Sequence, residues 1–381
     1  MSYFESKNIL VTGGASFIGS HLVEALIEAG AGRISVFDDL SSGKASNIAH
    51  LGYETCIGNV PVHTAPLSLH QVNLLNYPEC DFAVKFSKPD IVFHLACIHG
   101  GRGFVELSDA MCAQNLALDN NLFRACVDSR VGKVVYMSSA CVYPMHWQTE
   151  QVSIDLVDSV FEDSIRIYKE YGDKGYIPLE EHMVGPPYAP DGLYGHAKLL
   201  GELTLKALHK ATGLKSGIGR GFTIYGPRGL ENHAVIAMIA RAYTGENPYQ
   251  IWGDGTQIRN WTYVEDVVAG LLRIAEIENE AGAYNLGTEE AITVKECADM
   301  AMKYFNHSPH VEFDTAKPVG PLRRVADGTK SREVLGWSPE NDFATGFEKT
   351  AKWYMHANTT DEARFKLKGG ALTERSVKVP K

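Results

Sequence analysis

The 381-residue chain lacks a cysteine pattern that would indicate disulfides or a zinc site. Its seven cysteines are scattered, their number is odd, and no C-x-x-C pair occurs among them. Disulfide-stapled and zinc-binding proteins usually space their cysteines in recognisable pairs. We therefore expect neither a disulfide framework nor a metal site, and we interpret most of the cysteines as reduced core residues.

Long apolar runs and an excess of positive charge are also missing. No segment approaches the ~18 uninterrupted apolar residues of a membrane span, and the opening MSYFESKNIL has neither the basic start nor the apolar middle of a signal peptide. Lys and Arg total 36 against 46 Asp and Glu, which disfavours binding to nucleic acid or anionic membranes. These absences predict a cytoplasmic protein without nucleic-acid or membrane partners.

The first half of the chain alternates short apolar runs with helical patterns. The runs NILVTGG, RISVFDD, DIVFHLA and KVVYMSS are separated by helical segments such as SHLVEALIEAG. Such alternation implies parallel strands joined by crossover helices, with both faces of the sheet covered. The pattern predicts an α/β fold with a doubly wound parallel sheet of the Rossmann type.

A glycine-rich turn follows the first predicted strand. Gly13, Gly14 and Gly19 precede or open a helical pattern, and Asp38 stands nineteen residues after Gly19, at the end of the next strand. Glycines let the backbone approach a pyrophosphate, a helix N-terminus offers free N–H groups, and an acid at this place binds ribose hydroxyls. The pattern predicts a dinucleotide site, and because Asp38 would repel a 2′-phosphate it favours NAD over NADP.

The pattern of the sequence changes near residue 221. From there, Gly and Pro interrupt shorter predicted elements, and the long alternation of strands and helices stops. We predict an NAD-binding domain over residues 1–220, a smaller α/β substrate-binding domain over 221–360, and a flexible tail over 361–381. Residues 146–190 are rich in Asp, Glu and Pro, and we interpret them as a lid or as a long surface excursion. The sequence favours neither.

Tyr194 is followed four residues later by Lys198, in a helical segment. An i, i+4 pair lies on one face of a helix, so the phenol and the ammonium point at the same ligand. A phenol titrates near pH 10, about three units too high for a base at neutral pH, and a neighbouring cation favours the phenolate. The pair predicts a base for alcohol oxidation, with Lys198 lowering the pKa of Tyr194.

In its glycine-rich turn, in Asp38 and in its Tyr194 and Lys198 pair, the chain resembles the extended short-chain dehydrogenase/reductases that modify nucleotide sugars. The resemblance covers nearly everything up to LGWSP at 335–339. The matching residues are TGGASFIG, Asp38, HLA at 94–96, Asn115, Ser138 with Ser139, Tyr194 with Lys198, YGPRG, and RNWTYVED from Arg259.

The resemblance implies roles for individual residues. It implies that Tyr194 is the acid/base, that Lys198 orients the nicotinamide ribose and that Ser139 binds the reacting hydroxyl. It implies NAD contacts at Gly13, Ser16, Phe17, Ile18, Gly19, Asp38, Asn73, Leu95, Ala96, Asn115, Tyr194 and Lys198. Ser16 stands where glycine is usual, and Asn73 stands where the family usually has an acid near the adenine. Arg259 and Arg324 match positions that commonly meet the phosphates of the sugar nucleotide, a task suited to the planar fork of arginine.

The segment SSACVYP at 138–144 resembles the GDP-mannose 3,5-epimerases, as does the loop HGGRGF at 99–104. The likeness implies substrate contacts at Gly101 and Arg102 and a base at Cys141, because oxidation of C4 to a ketone makes the protons on C3 and C5 acidic. The 4,6-dehydratases instead resemble one another in an Asp and Glu pair at these places, where this chain has Ala140 and Cys141.

One departure from the 3,5-epimerases concerns the second acid. Those enzymes resemble one another in a lysine after the Y-G-P turn, and residues 221–240 contain none. Asn232 and His233 are the nearest polar substitutes, and a histidine can carry a proton near neutral pH. The alternative interpretation is that His233 packs at the start of the helical segment AVIAMIARA.

The leading hypothesis is therefore an NAD-dependent nucleotide-sugar epimerase acting through a transient 4-keto sugar, with a nucleotide sugar as partner. The alternative is a 4-epimerase, in which Cys141 is a spectator. A 4,6-dehydratase and a non-catalytic NAD-sensing protein are weaker alternatives. Enzymes of this kind are often dimers, and the apolar stretch LLGELTLKALHKA would suit a homodimer interface beside the Tyr194 helix.

Overall fold

The structure is a computed structural model that describes residues 2–56, 66–148 and 175–358. Its strands in the first part of the chain are β1 (Asn8–Thr12), β2 (Arg33–Asp38), β3 (Glu54–Cys56), β4 (Leu67–Gln71), β5 (Ile91–His94), β6 (Lys133–Ser139), β7 (Pro178–Leu179) and β8 (Lys215–Gly221). The later strands are β9 (Ile224–Tyr225), β10 (Tyr249–Trp252), β11 (Ile258–Arg259), β12 (Thr262–Tyr263), β13 (Glu280–Leu286), β14 (Ile292–Thr293), β15 (Val311–Asp314) and β16 (Arg323–Ala326).

The α-helices lie between these strands. In chain order they are α1 (Phe17–Glu28), α2 (Tyr77–Ser87), α3 (Arg102–Leu107), α4 (Asp109–Cys112), α5 (Gln114–Asp128), α6 (Gly192–Thr212), α7 (Ala234–Thr244), α8 (Val264–Ile277), α9 (Val294–Tyr304) and α10 (Phe343–Ala357). None of the helices in the described ranges is long and apolar enough to cross a membrane.

Eight strands form one sheet in the order β13-β8-β6-β5-β1-β2-β4-β3, and every neighbouring pair is parallel. Alternate residues of β1 pack into two hydrophobic cores, one on each face of the sheet. Ile9 and Val11 pack with α1 and α8 on one face, whereas Leu10 packs with α2, α5 and α6 on the other. Because both faces are covered, the strands are apolar throughout, as in other doubly wound sheets. The predicted α/β fold is confirmed.

The order of the strands reverses at β1, which lies between β5 and β2. In open parallel sheets, ligands bind outside the carboxyl ends of the strands at such a switch point. The carboxyl ends of β1, β2, β5 and β6 all lie at one edge because these strands run in the same direction. We call this edge, with the residues that follow each of the four strands, the carboxyl edge.

The second half of the chain builds smaller sheets and also returns to the large one. It contributes the four-stranded sheet β14-β11-β16-β7 and the pairs β10-β15 and β12-β9. However, β13 pairs with β8 in the large sheet, and α8 packs into the core of that sheet. The two-domain division stays a prediction, and a boundary at residue 221 leaves one strand and one helix of the large sheet on the other side.

Part of the predicted 146–190 segment is ordered against the rest of the protein. Pro178 and Leu179 form β7, which pairs with Val325 and Ala326 of β16, and Glu181 accepts a hydrogen bond from the Asn285 backbone N–H at 2.8 Å. Residues 149–174 of the proposed lid and the proposed tail at 361–381 lie outside the described residues.

Candidate active site

Tyr194 and Lys198 lie on the buried face of α6, with exposed fractions of 9% and 1%. The Lys198 Nζ donates to the Met137 carbonyl at 2.9 Å and lies 4.7 Å from the centroid of the Tyr136 ring. Met137 and Tyr136 belong to β6. The i, i+4 spacing therefore holds both side chains against the carboxyl end of β6.

Ser139 and Cys141 follow at the end of the same strand. The Ser139 Oγ accepts a hydrogen bond from the Cys141 backbone N–H at 3.1 Å, and the Cys141 carbonyl accepts one from the Asp191 N–H at 2.8 Å. A Cβ on Gly195 would lie 2.3 Å from that carbonyl, so the close approach of α6 to Cys141 requires glycine. The fold thus brings together all four residues predicted to be catalytic.

The pKa of Tyr194 moves in the direction opposite to the sequence-based expectation. Burial raises it well above its usual value, and the nearby thiols of Cys97 and Cys141 add to the rise, although a hydrogen bond with Ser139 opposes it. The net pKa is therefore raised and not lowered, because desolvation dominates. The Lys198 ammonium is bound to the Met137 carbonyl, and its own effect on the phenol stays a prediction.

Arginines converge beside Cys141. Asp191 bridges Arg102, at 2.9 Å, and Arg324, at 3.0 Å. The Nη1 of Arg324 also donates to the Cys141 sulfur at 3.4 Å, and its Nε donates to Gln148 at 2.6 Å. Burial opposes ionisation of Asp191, but Arg324 and Arg102 outweigh it and lower the pKa of this carboxyl.

Arg259 is the third guanidinium of this cluster. It donates to the carbonyls of Ile258, at 2.8 Å, and Val319, at 2.9 Å, which carry no charge, while Asp191 attracts it from a distance. Burial and repulsion from Arg324 and Arg102 lower its pKa to about 9. A group of guanidiniums that repel one another is an arrangement that an added anion stabilises.

The loop after β5 closes the site from another side. Asn115 holds this loop through both backbone groups of Ile98, at 2.7 and 2.9 Å. A Cβ on Gly101 would lie 2.1 Å from the Asn232 carbonyl, so the loop packs directly on the segment before α7. His99 lies between Tyr194 and His233, with ring centroids 6.0 and 5.2 Å away.

His233 precedes α7, and its backbone carbonyl accepts the Ala237 N–H at 2.8 Å. Burial and the neighbouring His99 lower the pKa of His233 to about 3. The expectation that His233 can carry a proton near neutral pH is therefore wrong, because the ring is desolvated. Its place at the helix start agrees with the packing interpretation, and its role as a substrate contact stays a prediction.

The glycines of the first turn leave a cradle that side chains would fill. A Cβ on Gly19 would lie 2.0 Å from the Gly13 carbonyl, and a Cβ on Gly13 would lie 2.9 Å from the Ala96 backbone nitrogen. Ser16 has extended backbone with φ at −88°, and its Oγ donates to the Gly13 carbonyl, so the absence of glycine there causes no strain. Phe17 and Ile18 begin α1. This turn fits a pyrophosphate.

Asp38 ends β2 beside this turn. Its carboxylate accepts the N–H groups of Ala15, at 3.0 Å, and Leu40, at 2.9 Å, while burial raises its pKa. A Cβ on Gly43 would lie 2.6 Å from the Asp38 carboxylate, so a glycine gives that carboxylate its room. The carboxylate lies where the sequence motif requires an acceptor for ribose hydroxyls.

Two further predicted cofactor contacts follow β5, and a third lies farther out. The backbone N–H groups of Leu95 and Ala96 both donate to the Thr12 Oγ1 at 3.2 Å, which joins the ends of β5 and β1. Asn73 is exposed, and its side chain accepts the Leu75 N–H at 3.0 Å. The roles of all these residues toward NAD stay predictions.

Four residues of the site were missed from the sequence: Cys97, His99, Asp191 and Gly195. Cys97 and His99 lie in the segment CIHGGRGF, whose glycines indicate a loop and do not point to a role for either side chain. Asp191 precedes α6, and an acid immediately before a helix ordinarily indicates a cap. Only the spatial contact with Arg102 and Arg324 shows its second role.

Comparisons with known proteins agree with this geometry. Residues 9–160 and 168–287 match the model of the NAD dependent epimerase/dehydratase family. GDP-mannose 3,5-epimerase 1 of Oryza sativa subsp. indica is 26% identical over 355 residues, which cover 92% of this chain and 82% of that protein.

Two solved structures are similar over nearly their whole length. UDP-glucose 4-epimerase of Thermotoga maritima with UDP-glucose is 26% identical with a TM-score of 0.73, and covers 92% of this chain and 99% of its own. The complex of Thermus thermophilus UDP-glucose 4-epimerase with NAD is 26% identical with a TM-score of 0.71, at the same coverage.

The family's NAD dependence confirms the predicted cofactor, and the predicted resemblance to enzymes that modify nucleotide sugars is confirmed at the level of the family. From the match over most of its length, the chain belongs to the NAD-dependent epimerase/dehydratase family.

Proposed function

We propose that the protein is a nucleotide-sugar epimerase that acts through a transient 4-keto sugar, in the manner of GDP-mannose 3,5-epimerase. The observation that carries the proposal is the position of Cys141, which lies near Tyr194 while an N–H of Arg324 points at its sulfur. A thiolate is the reactive form of cysteine, and a neighbouring cation in an accessible pocket is the setting in which it is used.

The first step is oxidation at C4 of the sugar. Tyr194 exchanges the proton of the C4 hydroxyl, Ser139 binds that hydroxyl, and Lys198 holds the nicotinamide ribose. NAD, when bound, supplies the acceptor for the hydride that leaves C4, together with a positive charge. Because burial raises the pKa of Tyr194, its phenol is well suited to return the proton when the hydroxyl is restored.

The second step is inversion beside the ketone. A ketone at C4 makes the C–H protons on C3 and C5 acidic, and Cys141 is the proposed base for one of them. Ala140 and Cys141 provide no carboxylate where the 4,6-dehydratases have a pair. Elimination of water therefore lacks its acid, whereas proton exchange has its base.

The arginine cluster supports an anionic substrate. We propose that Arg259, Arg324 and Arg102 bind its diphosphate, because their mutual repulsion is relieved by negative charge. Gly101, Asn232 and His233 form the neighbouring wall and are proposed substrate contacts.

The test uses GDP-mannose in deuterated water with NAD. We expect deuterium at C3 or C5 of an inverted product, detected by NMR. The variant Cys141→Ala should lower the labelled product by ~100-fold or more, as expected for loss of an acid/base group. An unlabelled product with only C4 inverted would overturn the role of Cys141.

The second candidate is a 4-epimerase. It is favoured by the fact that Tyr194, Lys198 and Ser139 already suffice for oxidation at C4, and by the 4-epimerases among the similar structures. Under this alternative Cys141→Ala leaves turnover of a UDP-sugar within about threefold of wild type. A non-catalytic NAD-sensing protein is opposed by the assembled Tyr194 and Lys198 pair, and turnover of any nucleotide sugar would exclude it.

We also propose a homodimer through the α5 and α6 face. Leu116 and Leu200 are 40% and 47% exposed there, and both line one groove between the two helices. Light scattering of the wild type and of Leu200→Lys tests this, with a dimer expected only for the wild type. The cytoplasmic location stays a prediction.

A further inference from the structure

His99 lies at the centre of the site and has no role in the proposed reaction. His99 follows β5, and its ring centroid lies 6.0 Å from that of Tyr194. Cys141 follows β6 and neighbours the same phenol. The two side chains therefore approach Tyr194 from the ends of two adjacent strands.

The hydrogen bonds of His99 define which ring nitrogen is available. Its Nδ1 lies 3.0 Å from the Gly100 carbonyl. A carbonyl only accepts, so Nδ1 carries the hydrogen and Nε2 presents its lone pair. Desolvation of the ring and the nearby Lys198 lower the pKa of His99, although the hydrogen bond with Gly100 opposes this.

The ring is also held in place. Asn115 fixes the backbone at Ile98 through two hydrogen bonds, and Gly101 packs on the Asn232 carbonyl. His233 stacks on the other side of the ring at an interplanar angle of 22°. An acid/base group needs this kind of fixed position close to the reacting atoms.

Inversion at a carbon requires one group to remove a proton from one face and another to return a proton to the opposite face. We propose that His99 is the partner of Cys141 in this exchange, the acid/base that takes the place of the missing lysine. This inference rests on the proposed function.

The proton balance closes at each inversion. A proton first moves from the Cys141 thiol to Nε2 of neutral His99, which gives a thiolate and an imidazolium. The thiolate removes the C–H proton, the electron pair moves onto the ketone oxygen as an enolate, and the imidazolium returns a proton to the opposite face, which restores thiol and imidazole. The hydrogens on C3 and C5 of mannose lie on one face of the ring, so the same direction of transfer serves both carbons.

The other candidates fit less well. The Nε2 of His233 is buried without a hydrogen-bond partner in the described part of the chain, and the pKa of this ring is about 3. The amide of Asn232 does not exchange a proton near neutral pH. Cys97 neighbours the Tyr194 phenol and raises its pKa, so its thiol faces the group that serves C4.

The experiment compares two steps in the variants His99→Phe and His99→Gln. Phenylalanine keeps the ring packing on Tyr194 and His233 but transfers no proton, and glutamine serves if the aromatic variant does not fold. With GDP-mannose and NAD, single-turnover NADH absorbance measures oxidation at C4, and NMR in deuterated water measures inversion. His310→Phe is the matched control, because His310 is 75% exposed on its side chain.

We expect oxidation within about threefold of wild type and inversion slower by ~100-fold. The control should match the wild type in both steps. Inversion within about tenfold of wild type in the His99 variants, or an equal loss in both steps, would overturn the role of His99 and leave the proposed function standing. If the wild-type enzyme introduces no label at C3 or C5, the proposed function fails, and this inference fails with it.

Discussion

The carboxyl edge of the sheet carries two sites that are built in different ways. At the ends of β1 and β2, the cradle is formed by backbone, and glycines provide the space. At the ends of β5 and β6, the site is formed by side chains that meet from distant parts of the chain, such as Cys141, Asp191 and Arg324. A site made of backbone can be recognised from a short motif, whereas the contacts among converging side chains become visible only in the fold.

The largest expected effect is a loss of turnover without a loss of cofactor binding. Tyr194→Phe removes the proton-transfer group while its ring still fills the space, so we expect turnover to fall by ~10³-fold with NAD affinity within about threefold. Steady-state kinetics and NAD titration by calorimetry check both values. Wild-type turnover in Tyr194→Phe would contradict the role of Tyr194 as the proton-transfer group.

The next effect concerns the charges beside Cys141. Asp191→Asn removes the carboxylate between Arg102 and Arg324, both held at 3.0 Å or less, and should lower the free energy of unfolding by about 3 kcal/mol at neutral pH. Because the pKa of Asp191 is lowered in the folded protein, the difference is full above the unfolded pKa of ~4 and disappears as the pH falls through the folded value.

Urea unfolding of both proteins at about pH 7, 5 and 3.5 measures this difference. Asp299→Asn is the control, because Asp299 forms an exposed i, i+4 pair with Lys295 and such pairs contribute less than about 1 kcal/mol. A difference that stays constant down to the lowest pH would contradict the assignment of the effect to Asp191 ionisation.

A smaller effect is expected at the cofactor cradle. The Cβ of Gly19→Ala would lie 2.0 Å from the Gly13 carbonyl, so the turn must shift, at a cost of about 2 kcal/mol. If the whole cost falls on binding, NAD affinity drops by about 30-fold. Gly185→Ala is the control, because no atom lies within 4 Å of its Cβ position. Unchanged NAD affinity in Gly19→Ala would contradict a backbone cradle.

The smallest effect tests the junction between the two sites. Gly195→Ala places a Cβ 2.3 Å from the Cys141 carbonyl, and the shift that relieves this contact should lower kcat by about tenfold while NAD affinity is retained. The same Gly185→Ala control applies. Equal losses in kcat and NAD affinity would show that the two sites are not independent.

Particular residues show how far the sequence leads. The strand and helix alternation and the turn from Gly13 to Gly19 are local patterns, and both predicted the fold that the structure has. The i, i+4 spacing placed Tyr194 and Lys198 on one buried face. The direction of the Tyr194 pKa was not accessible, because it depends on burial in the fold and on the charges of Cys97 and Cys141, which lie more than fifty positions away.

The parts that could not be predicted depend on long-range contacts. The pairing of Pro178 and Leu179 with β16 joins segments about 150 residues apart, and no local motif encodes it. His99 became a candidate only when the fold placed it between Tyr194 and His233. Arg324 was predicted from the resemblance, but its contacts with Gln148, Cys141 and Asp191 join segments more than 130 residues apart and were not predicted.

The position of β13 has a consequence for synthesis. This strand covers the outer side of β8, yet it spans residues 280–286, more than fifty residues after β8 ends. During translation, the N–H and C=O groups along that side of β8 have no strand to pair with until the later segment emerges. An unprotected edge is a template for pairing with other chains. A chain truncated before residue 280 should therefore aggregate and not fold into a stable NAD-binding part.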